Sequence, residues 1–203
     1  ALPAQAAEPT EPPLANATQV VDNLTLENIA DLLREMGAQQ VEIKEVGNQK
    51  GILMVDGGVP YNVAVGLCDR RPGKCLVLGI MVVVDNGAGG YPLDTLNSVN
   101  KNNLFVTLYK IDSAKFGVGR LHLVDGGVTK RNLAINVASY VATFRDVMQQ
   151  LQNQTIASVQ SGNYRQASFG PPQLRLVPAS PREMHDFIAK ASAQFSTTLR
   201  PGR

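Results

Sequence analysis

The run Leu76-Val-Leu-Gly-Ile-Met-Val-Val-Val84 constrains this chain more than any other stretch. It carries no charge, and as a strand it would send Leu76, Leu78, Ile80 and Val82 to one side and Val77, Met81 and Val83 to the other. A strand in an antiparallel sheet with one wet face should turn polar at every second position. This one must be covered twice. One cover is the chain's own core. For the other, an uncovered apolar patch being an aggregation hazard, the sequence leaves three occupants open: a second copy of the protein in a homodimer, the C-terminal helix, or a segment of a protein partner. Val77, Met81 and Val83 are therefore the candidate partner-binding residues.

The rest of the chain supplies an α+β frame for that strand. Thr25 is a good N-cap for Leu26, Ile29, Leu33 and Met36, which recur at helical spacing and stop at Gly37. Short β-branched or apolar runs follow at Gln40–Val46, Ile52–Val55, Asn62–Cys68 and Cys75–Asp85, and Asp56-Gly57-Gly58 reads as a hairpin turn. After the glycine-rich Asn86–Gly90, Leu93, Leu96 and Val99 mark a second helix reaching about Asn100. Leu104–Ile111 and Phe116–Val124 predict two further strands joined by Asp112–Lys115. A third helix, capped by Thr129, carries Leu133, Val137, Tyr140 or Val141, Phe144, Met148 and Leu151 on one stripe. The expected order is α-β-β-β-β-α-β-β-α, a twisted antiparallel sheet of about six strands packed by helices.

Two flanks lie outside this frame. Residues 1–24 hold Pro3, Pro9, Pro12 and Pro13, three acids and no base, a composition that predicts a flexible tether. Ala4-Gln5-Ala6 there matches a signal-peptidase cleavage pattern. Residues 152–203 read as an irregular segment followed by an amphipathic helix, with Ser180-Pro-Arg-Glu183 as a capping box and Met184, Ile188, Ala191 and Phe195 on one stripe. So short a helix must dock on something.

Cys68 and Cys75 flank a Pro72-Gly73 turn, and alternation along both arms puts their sulfurs on one face. In an oxidising compartment they would form a cross-strand disulfide. Two separate buried thiols remain the other reading. The disulfide and the cleavage pattern together predict a periplasmic or secreted protein of a bacterial envelope.

Composition excludes more than it identifies. No apolar run approaches the ~20 residues of a membrane-spanning helix, and the chain is 44% hydrophobic with a net charge of +2. Its frame from Thr25 to Val159 has 13 bases against 12 acids, so no basic stripe predicts nucleic-acid binding, although Arg70, Arg71 and Lys74 crown the hairpin. His122 and His185 have no nucleophile or carboxylate at a diagnostic spacing, so no catalytic residue is assigned and the chain is expected not to be an enzyme. Val55-Asp-Gly-Gly-Val59 and Val124-Asp-Gly-Gly-Val128 repeat a pentapeptide but lack the alternating oxygens of a calcium loop and the Lys-Ser/Thr of a phosphate loop. No metal or cofactor is expected.

Taken together, the pattern of residues 25–151 resembles the YbjN family, bacterial proteins described as candidate sensory transduction regulators. The likeness is carried by Leu26–Gly37, by Leu96-Asn97-Ser98-Val99-Asn100 with the Phe105–Tyr109 strand, and by Gly119-Arg-Leu-His-Leu-Val124 leading into the third helix. The resemblance implies a fold similar to type III secretion chaperones, small α+β proteins that often dimerise and hold extended partner segments. It implies no catalytic residue. The function expected is thus non-enzymatic protein binding of a regulatory or chaperone-like kind. The alternative is a small-molecule or lipid binder with a pocket between the sheet and the third helix.

Overall fold

The structure, a computed structural model, describes residues 14–46, 49–68, 75–87, 91–160, 175–180, 182–184 and 186–189. In chain order the elements are β1 (Val20–Val21), α1 (Leu26–Glu35), β2 (Gln40–Val46), β3 (Gln49–Asp56), β4 (Val59–Gly66) and β5 (Val77–Asp85). There follow α2 (Leu93–Asn102), β6 (Thr107–Lys110), β7 (Lys115–Leu123), β8 (Val128–Thr129), α3 (Lys130–Gln160) and β9 (Arg175–Val177). The main sheet runs β2-β3-β4-β5-β7-β6, antiparallel throughout, with β9 added beside β5. This is the α+β architecture expected from the sequence.

Local chemistry explains most boundaries. Thr25 Oγ1 accepts from Asn28 N at 3.1 Å to cap α1, and Gly37 leaves the helix at φ +86°. Between β3 and β4 the two-residue turn needs positive φ twice, and Gly57 (+57°) and Gly58 (+77°) supply it. Arg145 of α3 donates to Asp56 at 2.7 Å and clamps that hairpin from above. Asn100 on α2 receives Leu108 N (2.7 Å) and donates to Leu108 O (2.9 Å), so one amide satisfies both main-chain groups of a β6 residue and fixes α2 along the sheet edge. The Asp112–Lys115 connection closes through Asp112 Oδ1, which accepts from Ala114 N and Lys115 N at 2.7 Å each. The Ala114 bond first, and the Lys115 and Lys110 charges after it, hold this exposed carboxyl below its ordinary value.

The core lies on one face of the sheet. Leu133, Val137, Tyr140, Phe144, Val147 and Leu151 of α3 meet Ile52, Met54, Tyr61, Val63, Leu78, Ile80 and Val82, and Ile29, Leu32 and Leu33 of α1 close one side. Burial pushes the Tyr140 phenol far above its usual range, and the hydroxyl donates to Val118 O at 2.7 Å. Burial likewise pushes Tyr61 up to about 12.

Four local expectations are revised. Within residues 1–24, only 14–24 are described, and they are held: β1 pairs with β8, Lys130 Nζ donates to Ala15 O at 3.0 Å, and Leu24 is a fully buried core residue. The cleavage pattern lies outside the described residues. The third strand ends at Gly66, not Cys68, because Leu67 adopts φ +55° and leaves the pleat. Helix α3 runs to Gln160, nine residues past the end of its apolar stripe at Leu151. Finally, Arg175–Val177, expected to be irregular, form β9.

The geometry of β4 explains β9. Two-residue alternation turns the main-chain groups of Gly66, Ala64, Asn62 and Pro60 towards β5, and the first of these accepts from Leu76 N at 3.0 Å. Pro60 has no N–H to give. The β4–β5 ladder stops at Asn62↔Met81, and Val83–Asp85 take Val177–Arg175 instead.

Candidate binding face

Register divides β5 cleanly. Leu78, Ile80, Val82 and Val84 belong to the core, whereas Val77, Gly79, Met81 and Val83 point to the opposite face. Val77, Met81 and Val83, the candidate partner-binding residues, are each 0% exposed. Their cover in this structure comes from the chain itself.

That cover is built on glycines. The second face brings together Gly66 and Ala64 of β4, Gly79 of β5, and Gly117 and Gly119 of β7, which sit side by side through the pairs Gly66↔Val77, Ala64↔Gly79, Met81↔Gly119 and Val83↔Gly117. Glycine in a strand interior is weakly strand-forming and marks a place where something approaches the backbone closely. Here it does. A Cβ at Gly119 would lie 2.6 Å from the Phe187 ring, one at Gly79 would lie 2.6 Å from Ile188, and one at Gly66 would also lie 2.6 Å from Ile188. Tyr109 folds over Gly117 in the same way, and its hydroxyl reaches the Met81 sulfur.

The segment that fills this trough is short and locally organised. Ser180 and Glu183 form the expected capping box: Glu183 N donates to Ser180 Oγ at 3.2 Å, and Ser180 N donates to Glu183 Oε2 at 2.6 Å. Residues 182–184 and 186–189 are helical. Phe187 stacks on Tyr109 with ring centroids 5.7 Å apart and planes 9° from parallel. Burial pushes the Tyr109 phenol well above its usual range, with the Glu183 charge adding to it. The expected stripe included Met184 and Ile188, both half-buried; Ala191 and Phe195 lie outside the described residues. Sequence reasoning missed Phe187, Tyr109 and the glycines, although Gly117-Val-Gly119 within an apolar strand was the available signal.

A cavity of about 340 Å³ opens beside this segment, lined by Thr107, Tyr109, Lys110, Glu183, Asp186 and Phe187 among others. It lies on the second face, away from the sheet–α3 space named in the small-molecule alternative.

Cys68 and Cys75 are joined by a disulfide seven positions apart in sequence. The Cys75 main chain is pinned as well, its N–H donating to Asn23 Oδ1 at 3.1 Å and its carbonyl accepting from Leu24 N at 3.0 Å. The loop with Arg70, Arg71 and Lys74 lies outside the described residues. Closing so small a loop restricts the unfolded chain by roughly 2–3 kcal/mol. Cys68→Ser/Cys75→Ser should therefore shift the urea midpoint down by roughly 1 M. Denatured wild type should show no reactive thiol until reductant is added; two thiols at the outset would contradict the bridge.

His122 sits on β7 facing the core side, its Nε2 buried without a hydrogen-bond partner among the described residues. Burial lowers its pKa, and the nearby Arg120 charge lowers it further. Arg120 in turn donates to Asn136 Oδ1 and lies over the Phe105 ring at 5.1 Å. Because the folded imidazole binds its proton less readily than the unfolded one, its contribution to stability is complete above about pH 6.5 and is lost as pH falls through the lowered value. The His122 ring resonance should titrate below 6.5 by NMR, and His122→Gln should flatten the stability–pH curve in that window. The other histidine, His185, lies outside the described residues. No three His, Cys, Asp or Glu side chains converge among the described residues, and no described helix is long and apolar enough to cross a membrane.

Comparison with solved structures finds a likeness. The structure is similar to that of YbjN from E. coli, described as a "putative transcription regulator", with TM-score 0.46 and 18% identity over 67% of this chain and 96% of that one. No family model and no curated protein sequence matches.

Proposed function

We propose that this chain is a non-enzymatic binding module of a regulatory kind, which holds a polypeptide segment on the second face of its sheet in an oxidising bacterial envelope. One observation carries the reading: β5 is buried on both faces, and the second burial is made by a chain segment whose side chains rest directly on glycine backbone. Affinity on such a face comes from apolar burial and main-chain pairing at Val83–Asp85, with specificity set by what fits over the glycines. The disulfide suits the envelope, and the YbjN-like pattern of residues 25–151 suits a regulatory role.

The test is capture from the native bacterium with wild-type bait and with Gly79→Leu bait, whose new side chain would occupy the space of Ile188 and Phe187. Polypeptides retained by wild type and lost from the variant support the reading. Small molecules alone on both baits would replace it with the ligand-binding alternative, for which the 340 Å³ cavity beside this segment offers one space.

A further inference from the structure

Resting on that reading, we infer that the C-terminal segment is a displaceable internal occupant, and that the partner the face fits is a polypeptide of the same design. Such a partner would place a short extended stretch antiparallel to Val83–Asp85, as Arg175–Val177 do, and ten residues on (from Val177 to Phe187) an aromatic–aliphatic pair over Gly119, Gly79 and Gly66.

Four features make the occupant removable. It adds only three residue pairs to β5. Its helical residues 182–184 and 186–189 are too few to persist undocked. The ion pair of Glu183 with Lys115 is long, at 3.7 Å, and no side-chain hydrogen bond accompanies it among the described residues. And the main core is closed on the opposite face by α1 and α3, around Tyr61, Tyr140 and Phe144; of the segment only Leu176, half-buried, packs against it, while Phe187 and Ile188 lie on the other face. Those side chains rest on glycine backbone, with Phe187 also stacked on Tyr109, so their departure leaves the strand pairings of β4, β5 and β7 in place. The Val83–Asp85 edge also stays open to an incoming strand, since Pro60 cannot extend β4 along it.

Fourteen residues (161–174) separate α3 from β9. The segment is covalently joined to the fold and competes intramolecularly, so a partner binds only when its concentration divided by its Kd exceeds the segment's effective concentration divided by the segment's own Kd. The segment therefore sets a threshold that weak or wrong partners do not pass.

The probe is a fluorescent synthetic peptide of residues 174–189, titrated into the full-length chain. Phe187→Ala/Ile188→Ala, which weakens the internal competitor, should bind it at least tenfold more tightly than wild type does, and adding Gly79→Leu should abolish that binding. Equal affinity for wild type and the double variant, or indifference to Gly79→Leu, would overturn the inference. Native hydrogen exchange on the unaltered chain tests release without any substitution. Amides of 175–177 and 186–189 should exchange together and at least a hundredfold faster than those of Tyr140 and Phe144. Exchange in step with Tyr140 would make the segment part of the core and overturn the inference. If the Gly79-dependent capture of native partners still held, the binding reading would survive it.

Discussion

Phe144→Ala should lower the unfolding free energy by about 3–5 kcal/mol, the range for deleting a fully buried aromatic ring. Phe144 is 1% exposed and stands edge-on to Tyr61, with centroids 5.7 Å apart and planes at 75°, while Tyr140 lies 6.4 Å from Phe144 and 6.0 Å from Tyr61, so the three rings form one cluster. The two neighbouring rigid rings limit how far the site can collapse, which puts the loss towards the upper end. Two companions separate packing from other terms. Tyr140→Phe removes only the hydroxyl that donates to Val118 O and should cost about 1–2 kcal/mol. Ile135→Ala, on the solvent side of the same helix and 47% exposed, should stay within about 0.5 kcal/mol. Urea unfolding followed by circular dichroism reads all three. Comparable losses at positions 135 and 144 would mean that α3 does not face the sheet as described.

Gly119→Val should have the second largest effect, and of a different kind. Valine suits a strand, so propensity alone favours it. Yet its Cβ would stand 2.6 Å from the Phe187 ring, and overpacking of this sort costs about 1–3 kcal/mol. Phe187 belongs to a short docked segment, so the expected response is undocking of that segment rather than loss of the fold. Trypsin should then cut at Arg175 and Arg182 at least tenfold faster, while the thermal transition of the sheet and α3 moves only a few degrees. Newly bared Val77, Met81 and Val83 should also make the variant self-associate. A variant that resists trypsin like wild type would show that Phe187 does not lie over Gly119.

Much of this frame was legible because its signals are local. Thr25 and Gly37 bound α1, Asp56-Gly57-Gly58 turns β3 into β4, and Ser180 with Glu183 caps the helical residues that follow; each depends on a few neighbouring residues. The double-sided strand was legible too, since alternation of Leu78 against Val77 needs no partner to be read. What covers its second face was not. The cover depends on pairing across long separations, Gly66 beside Val77 and Gly119 beside Met81, which no periodicity within one segment records. Those glycines carry no side chain to mark a face, and β9 is three residues whose strand character comes from the gap that Pro60 leaves. Helix α3 outran expectation because Gln152 and Asn153 continue a helix without an apolar stripe. Leu67 ended β4 early through a left-handed backbone that its residue type disfavours.

Solution NMR of the wild-type chain at low concentration addresses directly whether the greasy far side of β5 is hidden by its own polypeptide. Nuclear Overhauser contacts are expected from the Phe187 ring to the Hα protons of Gly79 and Gly119 and from Ile188 methyls to Gly66, unchanged on dilution. Their absence, with Phe187 showing random-coil shifts, or their disappearance on dilution as a dimer dissociates, would contradict the account.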